Sequence, residues 1–227
     1  MVNSRSASIT ALSSSLFAGL ERSAACAILA TAQIQSISAK HTISKEGDRA
    51  TRLFLVQSGR ARCYHLTEKG KLVLLAWLLP GDVTGLVATL KSPPPYMVTT
   101  EAISDCEVLT WAHPDIRELV SLHPLLAENA LRISLSYLRT YIDSHIGLVS
   151  RTAKGRLAKT LLSLSDRLGQ FHSQGITISA TNEELGGLAN ISPFTASRVL
   201  KSWERAGTVS KGRGCVLIRD PEALMIH

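Results

Sequence analysis

Apolar and polar positions change period three times along this chain. Residues 15–32, SLFAGLERSAACAILATA, space their apolar positions helically and predict a short amphipathic helix, preceded by a polar, frayed segment over 1–15. Short strand-like runs follow: HTISKEGD, RLFLVQSG, RARCYHLTEKG, KLVLLAWLLPGD and YMVTTEAISDCEVLTW. Most of them end in a glycine-containing turn. Strands of this size at regular spacing predict a small antiparallel barrel or jelly roll over residues 16–123. Beyond HPDIRELVSLHP the period lengthens. Leu131, Leu135, Leu138, Ile142, His145 and Val149 are spaced alternately by four and three, the seam of a helix that pairs with another helix. This predicts a dimerisation helix over 124–149.

The last third reads as helices and a hairpin. SRTAKGRLAKTLLSLSDRLG (150–169) carries Leu157, Leu161, Leu164 and Leu168 on one face, with Gly169 as its C-cap. ITISA is a strand. Thr181 and Glu184 have capping-box spacing, so a helix begins there. After the turn NIS, Ser192 and Pro193 supply an N-cap and a first-turn proline. The next helix runs to Gly207, with Ile191, Ala196, Val199, Leu200 and Trp203 on one stripe. TVSKGRGCVLI then forms a hairpin with KGRG at its tip. Helix, turn, helix and hairpin make a winged helix-turn-helix over 150–227, an arrangement that lays its second helix in the major groove of DNA.

Charge sharpens this reading. The net formal charge is +7, and residues 151–227 hold 11 Lys and Arg against 6 Asp and Glu, which points to a polyanion partner at that end. On the second helix Arg198 has the fork to read guanine, while Ser192, Phe194, Thr195 and Ser197 lie near the start, where base edges and phosphates come close. Lys201, Lys211 and Arg213 suit backbone contacts. The competing reading is that Arg198 only pairs with Glu204. Cys26, Cys63, Cys106 and Cys215 lie far apart with no ligand spacing, against a structural zinc site. No signal peptide and no apolar run of membrane-spanning length is present, so a cytoplasmic protein with reduced thiols is expected.

TAKGRLAKTLLSLS, TNEELGGLANISPFTASRVLKSWERAG and the glycine-punctuated KEGD…LFLVQSGRARCYHLTEKGK…LLPGDVTG resemble the Crp–Fnr transcription regulators, over almost the whole length. The resemblance implies an α+β chain: a cyclic-nucleotide-binding-like jelly roll, a long dimerisation helix and a C-terminal winged helix. It also implies a homodimer on a two-fold site in double-stranded DNA beside promoters, with RNA polymerase as partner. Thr195, Ser197 and Arg198 match the T-x-S-R pattern of the Fnr branch. Phe194 stands where that branch usually has an acidic residue.

The same resemblance bears on the effector. Members that bind cyclic nucleotides carry a glutamate for the ribose hydroxyl and, ten residues on, an arginine and a hydroxyl residue for the phosphate. Leu86, Tyr96 and Met97 occupy those positions here. Burying a phosphate without its cation costs several kcal/mol, roughly, so cyclic AMP and cyclic GMP are not expected as ligands. An Fnr-type iron–sulfur cluster is not expected either, since only Cys26 lies in the N-terminal region. A haem or redox site built on Cys63 and His65, two apart on a strand, remains open, with His41, His113 and His123 as further ligands. So do a small molecule inside the barrel and a barrel with no ligand. Two rival classes are weak. A cupin-like metalloenzyme needs a His-x-His that is absent. A pure interaction protein, using the heptad helix and a winged helix that binds protein, would be excluded by binding to double-stranded DNA with a steep salt slope. Catalysis has no motif behind it.

Overall fold

The computed structural model describes residues 9–225, which divide into two units within one long helix, between Thr140 and Tyr141. In the N-terminal unit, β1 (Gln33–Ile37), β8 (Cys106–Ala112), β3 (Arg52–Ser58) and β6 (Val83–Thr84) form one antiparallel sheet. A second sheet has the order β2 (Thr42–Ser44), β7 (Thr99–Ala102), β4 (Ala61–Leu66) and β5 (Leu72–Leu78). Phe54, Val108, Ala102 and Val56 fill the space between the sheets, the jelly roll that the strand spacing predicts.

The first sheet is also covered on its outer face. Leu53, Leu55, Leu109 and Trp111 pack there against Leu16, Phe17, Ile28 of α1 (Arg22–Ala30), Ile116 of α2 (His113–Leu122), and Leu126 and Ile133 of α3 (Leu125–Ser150). Burial on both faces explains why Leu53–Val56 is an unbroken apolar run rather than an alternating one. Asn129 of α3 donates to the carbonyls of Leu16 (3.0 Å) and Ala18 (2.8 Å), fixing the chain's early segment to the helix.

Several expectations need correction. The segment 1–15 is not frayed throughout: residues 9–12 are helical, and Ala11 and Ser14 are buried, while residues 1–8 lie outside the described residues. The helix expected over 15–32 is a short 3-10 turn, Ser15–Phe17, followed by α1, because the chain reverses through Gly19 at φ +75°. YMVTTEAISDCEVLTW yields β7 and β8, which belong to different sheets. The pattern does not predict the strands β1 and β6, the short strand Gln170–His172 or the helix α2.

In the C-terminal unit, α4 (Ala153–Leu168), α5 (Asn182–Leu188) and α6 (Pro193–Arg205) pack with a sheet of order β11 (Val209–Gly212), β12 (Cys215–Ile218), β10 (Gly175–Ser179) and β9 (Gln170–His172). A short α7 (Pro221–Met225) closes it. Gly169 ends α4, though at φ −63° rather than in the left-handed C-cap conformation. Its requirement is space, since a Cβ there would lie 2.2 Å from the Ser165 carbonyl oxygen.

Arg156 of α4 holds the turn between α5 and α6. Its Nε donates to the Ala189 carbonyl (2.9 Å) and Nη2 to that of Asn190 (3.3 Å), while Nη1 reaches the Arg151 carbonyl (2.9 Å). Asn190 sits at φ 51°, a conformation that its short side chain tolerates. Arg156→Ala should therefore cost about 2 kcal/mol, from lost charge-assisted bonds to carbonyls of a tight turn. Differential scanning calorimetry should show the transition of the C-terminal unit falling by several degrees.

Candidate nucleic-acid interface

Each helix of the α5–turn–α6 pair is started by its own side chains. Thr181 Oγ1 accepts from the Glu184 N–H (3.2 Å), and Glu184 Oε2 accepts from the Thr181 N–H (2.7 Å), the reciprocal capping box. Ser192 Oγ accepts from the Thr195 N–H at 3.0 Å, with Pro193 at the first position. The two helices approach closely at Gly186, where a Cβ would lie 2.9 Å from the Ile191 carbonyl oxygen. Any larger residue at 186 would push the turn outward.

α6 buries Ala196, Leu200 and Trp203 and presents the opposite side to solvent. Residues 194, 198, 201 and 205 fall on that opposite side at steps of three and four. Phe194 is 88% exposed, and Arg198, Lys201 and Arg205 are exposed as well. Ser197 and Thr195 are half-buried at its edge, and Thr195 Oγ1 lies 2.9 Å from Ser192 Oγ, so the two hydroxyls are engaged in the cap. Arg198 makes no ion pair with Glu204. That carboxylate instead accepts the backbone N–H of Lys211 at 2.9 Å, tying the hairpin to α6. Lys211 and Arg213 stand on the β11–β12 hairpin, whose tip is Arg213–Gly214. Sequence reading missed Arg156 and Glu204, the two side chains that orient the turn and the hairpin around α6.

Along α3 the expected seam is open to solvent. Leu131, Leu135, Leu138, Ile142 and Val149 range from 47% exposed at Ile142 to 83% at Val149, and His145 is exposed beside them.

In the barrel, the positions that would hold a cyclic nucleotide are put to other uses. Leu86 packs into the core on the outer face of the first sheet, and Met97 is 73% exposed. Tyr96 is buried, and its hydroxyl both accepts from the Arg52 N–H (3.0 Å) and donates to the Arg52 carbonyl (2.9 Å). Gly85, at φ +73°, is held against this tyrosine and the Arg52 carbonyl, where a Cβ would lie 2.6 Å from the carbonyl oxygen. Cys63 is buried with its Sγ 3.6 Å from Thr100 Oγ1, which itself lies 3.1 Å from Thr84 Oγ1. His65, two residues on, points to the barrel's edge and is paired with Glu46 at 2.8 Å. His41 and His113 face the carbonyls of Ala39 and Leu90. Among the described residues no group of three or more His, Cys, Asp and Glu gathers as a metal site. Burial pushes the Cys63 thiol above its ordinary value.

Comparison with known proteins places these two units. Residues 34–123 match the cyclic nucleotide-binding domain family and residues 155–225 the Crp-like helix-turn-helix domain family. The CRP-like cAMP-activated global transcriptional regulator of Mycobacterium tuberculosis is 26% identical over 211 residues, 92% of this chain and 94% of that one. The catabolite activator protein of Thermus thermophilus is 30% identical with a TM-score of 0.54, covering 93% of this chain and 96% of that chain. FixK2 of Bradyrhizobium japonicum shares the fold, with a TM-score of 0.76 at 24% identity over 86% of this chain and 96% of that chain.

The four thiols differ enough to test the barrel chemistry directly. A raised pKa leaves less thiolate at any pH below it, so Cys63 should resist alkylation and react faster only as pH rises. In native protein at pH 8, maleimide followed by peptide mass mapping should label the exposed Cys26 first. Cys63 should label at least roughly tenfold more slowly until the chain is denatured.

Proposed function

The chain belongs to the Crp–Fnr family of transcription regulators, and from that membership we propose that it binds a two-fold operator as a homodimer, reading DNA with α6. It is a DNA-binding regulator and not an enzyme, as its relatives are. The observation that carries the proposal is the outer face of α6. One apolar ring and three cations, Phe194, Arg198, Lys201 and Arg205, stand opposite the buried Ala196, Leu200 and Trp203. Arg198 is free of acidic partners among the described residues, so its fork is available for guanine O6 and N7. Ser197 borders the same face. Ser192 and Thr195, joined in the cap, keep the helix start compact enough to enter the groove, and Phe194 offers an apolar contact to a thymine methyl. Lys201, Lys211 and Arg213 hold phosphates.

The barrel is the sensor half, and it is not built for cyclic AMP or cyclic GMP. Tyr96 and Leu86 supply neither the cation nor the carboxylate that such a ligand needs. The burial of Cys63 and the pairing of His65 with Glu46 weigh against haem or redox sensing there. No helix among the described residues is long and apolar enough to cross a membrane. We place the regulator in the cytoplasm, with promoter DNA and RNA polymerase as its partners.

An operator selected from random duplexes allows the decisive titration. Arg198→Ala should remove about 1–3 kcal/mol of discrimination per half-site and leave non-specific binding intact. Lys211→Ala should weaken operator and scrambled duplex alike and reduce the salt slope by about one. Equal losses on both duplexes in Arg198→Ala would make that residue a phosphate clamp and refute its role as a reader.

The seam has a separate test. Replacing Leu138 and Ile142 together with glutamate sets like charges against each other across the helix pair. Sedimentation velocity should then report monomers, and operator binding should be lost. A double variant that still sediments as a dimer would place the interface elsewhere.

A further inference from the structure

One end of the β roll is an open cleft of about 570 Å3, lying between β1, the start of β3 and β2. That size suits a small organic molecule. Its charged lining is mostly cationic: Lys45, Arg49 and Arg52 against the single acid Asp48. Arg52 is the half-buried member of the set. Its backbone is clamped from both sides by the Tyr96 hydroxyl, at 3.0 and 2.9 Å. Its Nη1 donates to Gln33 Oε1 (3.2 Å) and Thr110 Oγ1 (3.5 Å), both neutral groups. Among the described residues no carboxylate lies within ion-pair distance of it.

A guanidinium that is half withdrawn from water, fixed at one nitrogen and neutralised by nothing keeps a free Nε–Nη2 edge. That edge is the geometry that takes an oxyanion through two parallel hydrogen bonds. Phe54 and Tyr96, with ring centroids 6.4 Å apart, and Ile43 supply the apolar part of a lining that is otherwise mostly polar. Asp48 offsets part of the positive charge, but Lys45, Arg49 and Arg52 leave the lining net cationic. Discrimination against inorganic phosphate therefore rests on the apolar contacts and not on charge.

We propose that this cleft is a binding site for a small organic carboxylate, seated on the Arg52 guanidinium with its apolar body over Phe54 and Tyr96. Of the three positions at which cyclic-nucleotide binders hold their ligand, Leu86 and Met97 do not line the cleft, whereas Tyr96 does. The site stands independently of how α6 meets DNA.

Equilibrium dialysis of the full-length protein against radiolabelled benzoate tests it. Saturable binding of one benzoate per chain is expected. Benzyl alcohol, the same ring without the charge, should fail to compete, and inorganic phosphate should compete roughly tenfold more weakly than benzoate. Arg52→Gln should lower benzoate affinity roughly tenfold or more. Near-UV circular dichroism checks that Arg52→Gln folds. The double variant Lys45→Gln, Arg49→Gln, changed only at exposed positions, should weaken binding several-fold by itself. Absence of saturable binding, or equal competition by benzyl alcohol, would overturn the site. Undiminished affinity in both variants would do the same. Phosphate competing as well as benzoate in the unmodified protein would overturn the preference for a carboxylate with an apolar body.

Discussion

The C-terminal unit depends on how firmly the turn between α5 and α6 is fixed, and one guanidinium does much of that. A tight turn leaves carbonyls without helical partners, and Arg156 gathers those of Ala189 and Asn190 while reaching that of Arg151. Gly186 lets the turn lie close beneath α5, and the Ser192 cap starts α6 in a set direction. A reading helix must hold side chains to within hydrogen-bonding tolerance of base edges. Slack in the turn would be magnified along α6 to Arg198, so, on the proposed reading of DNA by α6, the clamp belongs to the reading machinery.

The helix-turn-helix was legible because its signals are local. The capping-box spacing Thr181 to Glu184, Ser-Pro at 192–193 and the apolar stripe of α6 each sit within a few residues, and each has the partner expected of it. What failed was non-local. β1 is mostly solvent-exposed, so it shows no alternation, and β6 is only two residues long. Arg156 reads as an ordinary cation on α4 until the fold brings carbonyls from 33 and 34 positions away to its fork. Glu204 likewise invited pairing with Arg198, six residues earlier on the same helix. The carboxylate lies nearer the hairpin and is taken by the Lys211 N–H.

Cys63 and His65 illustrate the limit of strand periodicity as a guide to chemistry. Positions two apart share a face, but a face runs from a dry middle to a wet rim. Here Cys63 lies in the interior beside Thr100, while His65 reaches the edge and pairs with Glu46. The thiol's raised pKa follows chiefly from that burial, and a protonated thiol is a poor metal ligand and a poor nucleophile. Two residues on one face are therefore in different solvents, and alternation alone cannot distinguish them.

A similar contrast holds around Arg52 in the barrel. Leu86 joins the core, and Tyr96 engages the Arg52 backbone through its hydroxyl, with Gly85 packed close against both. Tyr96 fixes the backbone of the residue whose guanidinium lines the open cleft, and it lines that cleft itself. A jelly roll needs a packed interior but tolerates an open rim, because side chains at the strand ends meet water in any case. Changing the residues of such a rim while keeping the fold is then inexpensive, and polar residues there can meet a ligand without disturbing the core between the sheets.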